Sequence, residues 1–261
     1  MRGVCSPGHR PQAARPSPMK HVALLLLLLV SSLNAAVPAP RVYMIGDSTM
    51  ANKPLDLPER GWGMALGEFL TDPAMVKNHA VNGRSTKSFI DEGRWTAVEA
   101  ELARSDFVII QFAHNDEKKE DPKRYADAAT TFRDNLRRFV REARAKGATP
   151  ILATPVARRK FDREGQLVET HGAYPDAVRI VAQEENVALL DLTAATNKWL
   201  QSVGDEPSKK FFMWIEPGKF EKISEGRKDD THFVEAGAQK VAALAAAQIR
   251  QKKIPLAQWL K

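Results

Sequence analysis

Ser48 follows an apolar run at residues 41–46 and stands between Asp47 and Thr49. A serine leaving the carboxyl end of a buried strand projects into the crevice where open α/β sheets bind ligands. There its hydroxyl is placed to act as a nucleophile. The same residue also suits the N-cap of a following helix, and residue type alone leaves the two readings even. Asp229 and His232 lie three apart, just before the last helical pattern. At that spacing an Asp can share one turn with a His, accept its Nδ1 proton and leave Nε2 free as a base. Acidic residues answering a helix dipole, beside a surface His, are the plainer alternative. Gly83, in Asn82-Gly83-Arg84-Ser85, and Asn115, in His114-Asn115-Asp116, offer a backbone N–H and a side-chain amide. Neutral donors of this kind suit a developing oxyanion and are worth about 2.7–4 kcal/mol each when removed. A turn glycine and a loop-closing Asn are the competing explanations.

Ser48, Gly83 and Asn115 each follow an apolar run. Runs at 41–46, 75–81, 106–112, 149–154 and 186–192 read as five strands of a parallel sheet covered on both faces. Helical patterns lie at 63–70, 95–103, 125–146, 174–185 and 234–251. In 125–146, Phe132, Leu136, Phe139, Val140 and Ala143 make one stripe, and Gly147 suits its stop. Alternating strands and helices predict an α/β fold, a three-layer α/β/α sandwich with right-handed crossovers. No repeat or Pro/Gly/Ser-rich linker divides it, so residues 40–261 read as one domain. Irregular stretches at 155–175 and 202–231 are the long loops, where such sheets often carry function.

Of the 261 residues, 43% are hydrophobic and 27% charged, which excludes a disordered or collagen-like chain. The single cysteine, Cys5, excludes a disulfide framework and a cysteine-built zinc site. His79, His114, His171 and His232 show no metal-ligand spacing, so neither metal nor cofactor is expected. The net charge of +7 invites nucleic acid, but Arg2, Arg10, Arg15 and Lys20 lie in an acid-free segment, residues 1–36. Met19-Lys20-His21, an apolar run at 22–30 and Ala35-Ala36 have the build of a secretory signal peptide. The run is shorter than the roughly 20 residues that span a bilayer. Residues 1–18 read as a long n-region or as an over-called start with Met19 the true initiator. Removing 1–36 lowers the charge to about +3, so no nucleic-acid partner is expected. Nor is stable membrane insertion after cleavage. The expected location is exported, periplasmic or extracellular. Oligomeric state is not legible.

The ordered set Ser48, Gly83, Asn115 and Asp229/His232 resembles the SGNH (GDSL) hydrolase superfamily, whose blocks carry Ser, Gly, Asn and His. Finer segments resemble its rhamnogalacturonan acetylesterase branch: Gly46-Asp47-Ser48-Thr49, Gly61-Trp62-Gly63, Asn82-Gly83-Arg84-Ser85, Gln111-Phe112-Ala113-His114-Asn115-Asp116, Thr170-His171-Gly172-Ala173-Tyr174-Pro175 and Asp229-Asp230-Thr231-His232-Phe233. The resemblance implies a flavodoxin-like sheet and a serine carbohydrate esterase that removes acetyl groups from pectic rhamnogalacturonan without a cofactor. It implies Ser48 as nucleophile, His232 as base and then acid, and Asp229 as the residue orienting His232. The Ser48 and Gly83 amides and the Asn115 side chain would form the oxyanion hole. Ala113 departs from the family's glycine; if that position needs positive φ, alanine strains it. Two rival readings stand beside this one: an esterase for another acetylated glycan or small acyl ester, and a non-catalytic polysaccharide-binding module.

Further candidates carry less chemistry. Trp62 and Trp214 offer faces for sugar stacking against an alternative of core packing, and His171 offers a loop contact to sugar. Arg158, with Arg159, Lys160 and Arg163, reads as a basic rim for galacturonate carboxylates or as a solvated charge run. His114 reads as a hydrogen-bonded structural histidine rather than a substrate contact. Trp95, Trp199 and Trp259 sit in helical patterns and read as packing residues.

Overall fold

An apolar run without alternation needs cover on both faces, and the structure provides it. The computed structural model describes residues 1–4, 8 and 39–261. Almost all of the expected signal peptide lies outside the described residues. Among those described, no helix is long and apolar enough to cross a membrane.

Along the chain the strands are β1 (Val42–Gly46), β2 (Glu59–Arg60), β3 (Val76–Asn78), β4 (Phe107–Gln111), β5 (Thr149–Ala153), β6 (Ala188–Leu190), β7 (Phe212–Ile215) and β8 (Arg227–Val234). The α-helices are α1 (Trp62–Ala65), α2 (Thr86–Asp91), α3 (Arg94–Glu101), α4 (Thr131–Ala145), α5 (Tyr174–Glu184), α6 (Leu192–Val203), α7 (Asp205–Ser208) and α8 (Glu235–Gln251). Five strands pair in parallel in the order β3-β1-β4-β5-β6. Val42 and Met44 enter one apolar cluster while Tyr43 and Ile45 enter the other, because successive strand side chains point to opposite faces. Trp62, Leu200, Val241 and Ile249 cover the first face. Phe89, Trp95, Phe139 and Val178 cover the second, with Trp95 edge-on to Phe139 at 5.0 Å between ring centroids. The result is a three-layer α/β/α sandwich, and Pro40–Lys261 forms one compact unit.

Where the elements depart from the sequence reading, local chemistry explains the difference. The helix expected from residue 125 begins at Thr131, because Asp127 accepts the Ala129 and Thr130 amides in a turn. The strand expected to reach residue 192 stops at Leu190, because Asp191 caps α6 by accepting the Ala194 N–H. Gly147 ends α4 at φ 80°, as its type suggests. The larger difference is residues 202–231, read as irregular. They hold α7, β7 and most of β8, and β8 is the centre of a second, antiparallel sheet in the order β2-β8-β7.

Candidate active site

Neighbouring strands deliver the sequence-derived residues to one edge of the sheet. Ser48 follows β1, Gly83 follows β3 and Asn115 follows β4, and β1 lies between the other two. Gly46 serves close approach rather than an unusual turn: a Cβ there would stand 2.5 Å from the Gln111 carbonyl oxygen. Asp47 is fully buried beside it and accepts the Thr49 N–H at 2.9 Å and its hydroxyl at 2.7 Å. Burial opposes ionisation of Asp47, but the His114 charge and the Thr49 bonds outweigh it and bring its pKa down to about 2. That anchored turn presents Ser48, which is half-buried.

The second sheet brings the partner. Asp229 and His232 do not share a helical turn. Phe212 pairs with Phe233 but Met213 pairs with Asp229, so residues 230–232 bulge out of β8. Asp229 Oδ1 closes the bulge by accepting the Thr231 and His232 amides at 2.8 and 3.0 Å. The bulge aims the ring: His232 Nδ1–H donates to Asp229 Oδ2 at 2.9 Å, and the Ser48 hydroxyl donates to His232 Nε2 at 2.8 Å. Burial would raise the Asp229 pKa. The bonds from the His232 side chain and backbone prevail and hold its carboxyl well below the usual carboxylate range. A serine bonded to an imidazole, itself bonded to an ionised carboxylate, is the geometry of an activated nucleophile.

Three candidate donors follow β1, β3 and β4 at this edge of the sheet. Gly83 adopts φ 74° in its turn, where glycine carries no steric penalty. Among the described residues, neither the Ser48 nor the Gly83 amide donates to another protein group. Asn115 donates one amide hydrogen to the Arg84 carbonyl at 3.1 Å and retains the other. Arg124 donates to Asn115 Oδ1 at 3.3 Å, which fixes the side-chain amide's orientation. Asp116 joins the two loops by accepting the Thr86 N–H and hydroxyl; burial, against those bonds, pushes its pKa up to about 8. Ala113 is held at φ 140°, a region alanine rarely enters, so the departure from glycine does introduce strain.

Trp62 and His171 need correction, and Arg158 and Trp214 are paired within the protein. Trp62 is 0% exposed and its indole donates to Gln111 Oε1 at 2.6 Å, so it is a core anchor without a free face for sugar. His171 is 2% exposed; its Nε2 lies 2.9 Å from the Val156 carbonyl and its Nδ1 3.1 Å from Glu117. It braces the loop after β5 and does not meet solvent. Arg158 is ion-paired with Glu117. Trp214 donates to Asp230 Oδ1 at 2.7 Å and carries the Lys209 ammonium at 4.2 Å and the Arg159 guanidinium at 4.8 Å from its ring centroid. Both therefore have internal partners. His114 is buried against Asp47 Oδ2 at 3.2 Å and is a hydrogen-bonded structural histidine.

Arg227, Glu59, Lys53 and Arg124 escaped the sequence reading. Arg227 lies two residues before Asp229, on the same face of a strand, and donates to Asp229 Oδ2 at 2.5 Å. Reading 227–234 as a strand would have found it. The links from Lys53 to Asn82 and from Glu59 to Arg227 join residues remote in sequence, and no motif marks Arg124.

This site and sheet define an ester hydrolase, and the chain belongs to the GDSL-like Lipase/Acylhydrolase family, whose profile matches residues 44–240. It is 40% identical to rhamnogalacturonan acetylesterase RhgT of Bacillus subtilis, over 83% of this chain and 92% of that protein. A probable rhamnogalacturonan acetylesterase, YesY, of the same organism is 36% identical over 84% of this chain and 96% of its own length. Among solved structures, YxiM of Bacillus subtilis superimposes with a TM-score of 0.71 at 27% identity, covering 84% of this chain and 58% of that one. The acetylxylan esterase Axe2 of Geobacillus stearothermophilus shares the fold, with a TM-score of 0.56 at 18% identity over 81% of this chain and 94% of its own.

Proposed function

We propose that this chain is an exported serine esterase that removes acetyl groups from rhamnogalacturonan. The observation that carries the chemistry is the unbroken hydrogen-bonded chain from Ser48 through His232 to Asp229. Similarity over nearly the full length of a rhamnogalacturonan acetylesterase supports the substrate. Ser48 Oγ attacks the acetyl carbonyl carbon as His232 Nε2 takes the hydroxyl proton. The carbonyl oxygen becomes an oxyanion, held by the Ser48 and Gly83 amides and the Asn115 side chain. Collapse breaks the bond to the sugar oxygen, which takes the proton from His232 and leaves as a free hydroxyl. Water then attacks the acetyl-Ser48 ester with His232 again as base, and acetate and Ser48 are released. An open groove of about 510 Å³, lined by polar Glu117, Lys119, Asp127 and Thr170 and by the rings of Tyr125 and Tyr174, offers the mixed surface a glycan can use.

Acetate release from acetylated rhamnogalacturonan, beside acetylated xylan and a short-chain aryl ester, tests this reading, with Ser48→Ala as control. Ser48-dependent release from the pectic polymer and the aryl ester, but not from acetylated xylan, is expected. Release from the aryl ester but not from the pectic polymer would discard the pectic assignment. No release at all would favour the binding-module reading. For export, the lysine-led apolar run at 22–30 is the supporting feature. N-terminal sequencing of protein recovered outside the cytoplasm should begin near residue 37, and a retained Met1 or Met19 would refute cleavage.

A further inference from the structure

A buried lysine stands beside the site. The Lys53 side chain is 3% exposed and has two partners: Glu59 Oε1 at 2.5 Å, and Asn82 Oδ1 at 2.6 Å. A desolvated ammonium is retained in a fold only with close partners. Glu59, on β2, offers its second oxygen to Arg227 Nη1 at 3.1 Å, and Arg227 Nη2 donates to Asp229 Oδ2 at 2.5 Å. A continuous chain of alternating charge thus runs from Asn82 through Lys53, Glu59 and Arg227 to Asp229.

Its two ends are the two halves of the site. Asn82 carries the carbonyl of the peptide whose N–H belongs to Gly83. Arg84 Nη1 donates to that carbonyl at 2.9 Å. Across a trans peptide the N–H points opposite to the C=O, so fixing one aims the other. At the far end, Asp229 orients His232. Arg227 alone would draw the Asp229 charge away from the imidazole; Glu59 balances Arg227, and Lys53 in turn balances Glu59. The charged and titratable groups facing His232 are Asp229 and Arg227 from β8 and Glu59 from β2, with the Ser48 hydroxyl from the turn after β1.

We infer that Glu59 is a positioning residue for ester hydrolysis: held between Lys53 and Arg227, it keeps the Gly83 turn and the Asp229–His232 pair in register. It also keeps Arg227 from weakening His232 as a base. The inference rests on Ser48, His232 and Asp229 being the catalytic set.

Glu59→Gln tests it, since it preserves shape and one acceptor and removes the charge. The readouts are kinetics on an aryl acetate across pH, thermal midpoint, and the rate of Ser48 labelling by a fluorophosphonate, with Ser48→Ala as control. A fall in kcat of about ten- to hundredfold with KM held within about twofold is expected. The acid limb of kcat/KM should move to lower pH, because the imidazolium loses a nearby anion, and labelling should slow in parallel. Arg227→Lys keeps the charge but loses the two-pronged contact, and it should lower kcat even if Glu59→Gln fails to fold. Unchanged kcat and pH profile in Glu59→Gln, with wild-type Ser48 still labelled, would overturn the inference and leave the catalytic set standing. A lower thermal midpoint with an unmoved pH profile would reduce Glu59 to a structural residue and equally overturn it. Failure of the fluorophosphonate to label wild-type Ser48 would overturn both.

Discussion

Ala113 carries a conformational penalty that its neighbours hold in place. At φ 140° it occupies backbone space left almost entirely to glycine, and such residues cost of order 1–3 kcal/mol. It is fully buried and directly precedes His114 and Asn115, so the packing that fixes Asn115 also maintains the strain. Ala113→Gly should raise stability by about 1 kcal/mol, the strain relieved less the entropy that glycine loses on folding. Urea denaturation measures this, and a lower midpoint would show that the strain is absent. His114 makes a second prediction. Burial drives its pKa from 6.5 down to about 4, although the Asp47 carboxylate opposes that shift. The folded state therefore resists a proton that the unfolded chain binds at about pH 6.5. Between there and about 4, stability falls as pH falls. An NMR titration of the His114 ring should show a midpoint near 4; one near 6.5 would contradict its burial as a neutral group.

At the scale of elements, the antiparallel sheet matters most, because it delivers Asp229 and His232 to a serine held by the parallel one. The β7–β8 hairpin depends on Gly226, at φ 74°, where an added Cβ would stand 2.6 Å from the Ile215 carbonyl oxygen. Gly226→Ala should displace the start of β8 and lower kcat by about a hundredfold, the scale of a 1 Å misplacement. Unaltered kcat in a folded variant would show that the bulge is positioned independently of its hairpin. The parallel strands were legible because burial on both faces leaves uninterrupted apolar runs, as in residues 107–110. Strand β8 was not, because Arg227, Lys228, Asp229 and Asp230 look like a loop by composition. Its hydrogen bonds come from β7, the other arm of the hairpin, and from β2, far away in sequence. The reactive residues could be read without it, since their spacing survives whether a helical turn or a bulge brings Asp229 to His232. The charges behind them could not, because Lys53, Glu59 and Arg227 meet only through folding.

For the whole molecule, two apolar clusters on the faces of one sheet fix the strand ends, and the strand ends fix the chemistry. Phe139 joins the layers of the second cluster, contacting Phe89, Trp95 and Phe112. Phe139→Ala should cost about 3–5 kcal/mol, a large share of the 5–15 kcal/mol typical of a domain. Thermal unfolding reads it, and a change under about 1 kcal/mol would mean that the layer repacks. The site's charges are almost all internally paired, so its polarity serves precision at Ser48 more than attraction of a distant partner.

If Ser48 is the nucleophile, it becomes acetylated during turnover. Rapid quenching of the wild-type protein with an aryl acetate, followed by peptide mass analysis, tests it most directly. One acetyl group is expected on the peptide bearing Ser48, formed within a turnover and absent in Ser48→Ala and His232→Ala. Turnover that persists in Ser48→Ala, or an acetyl group carried by any other residue, would contradict it.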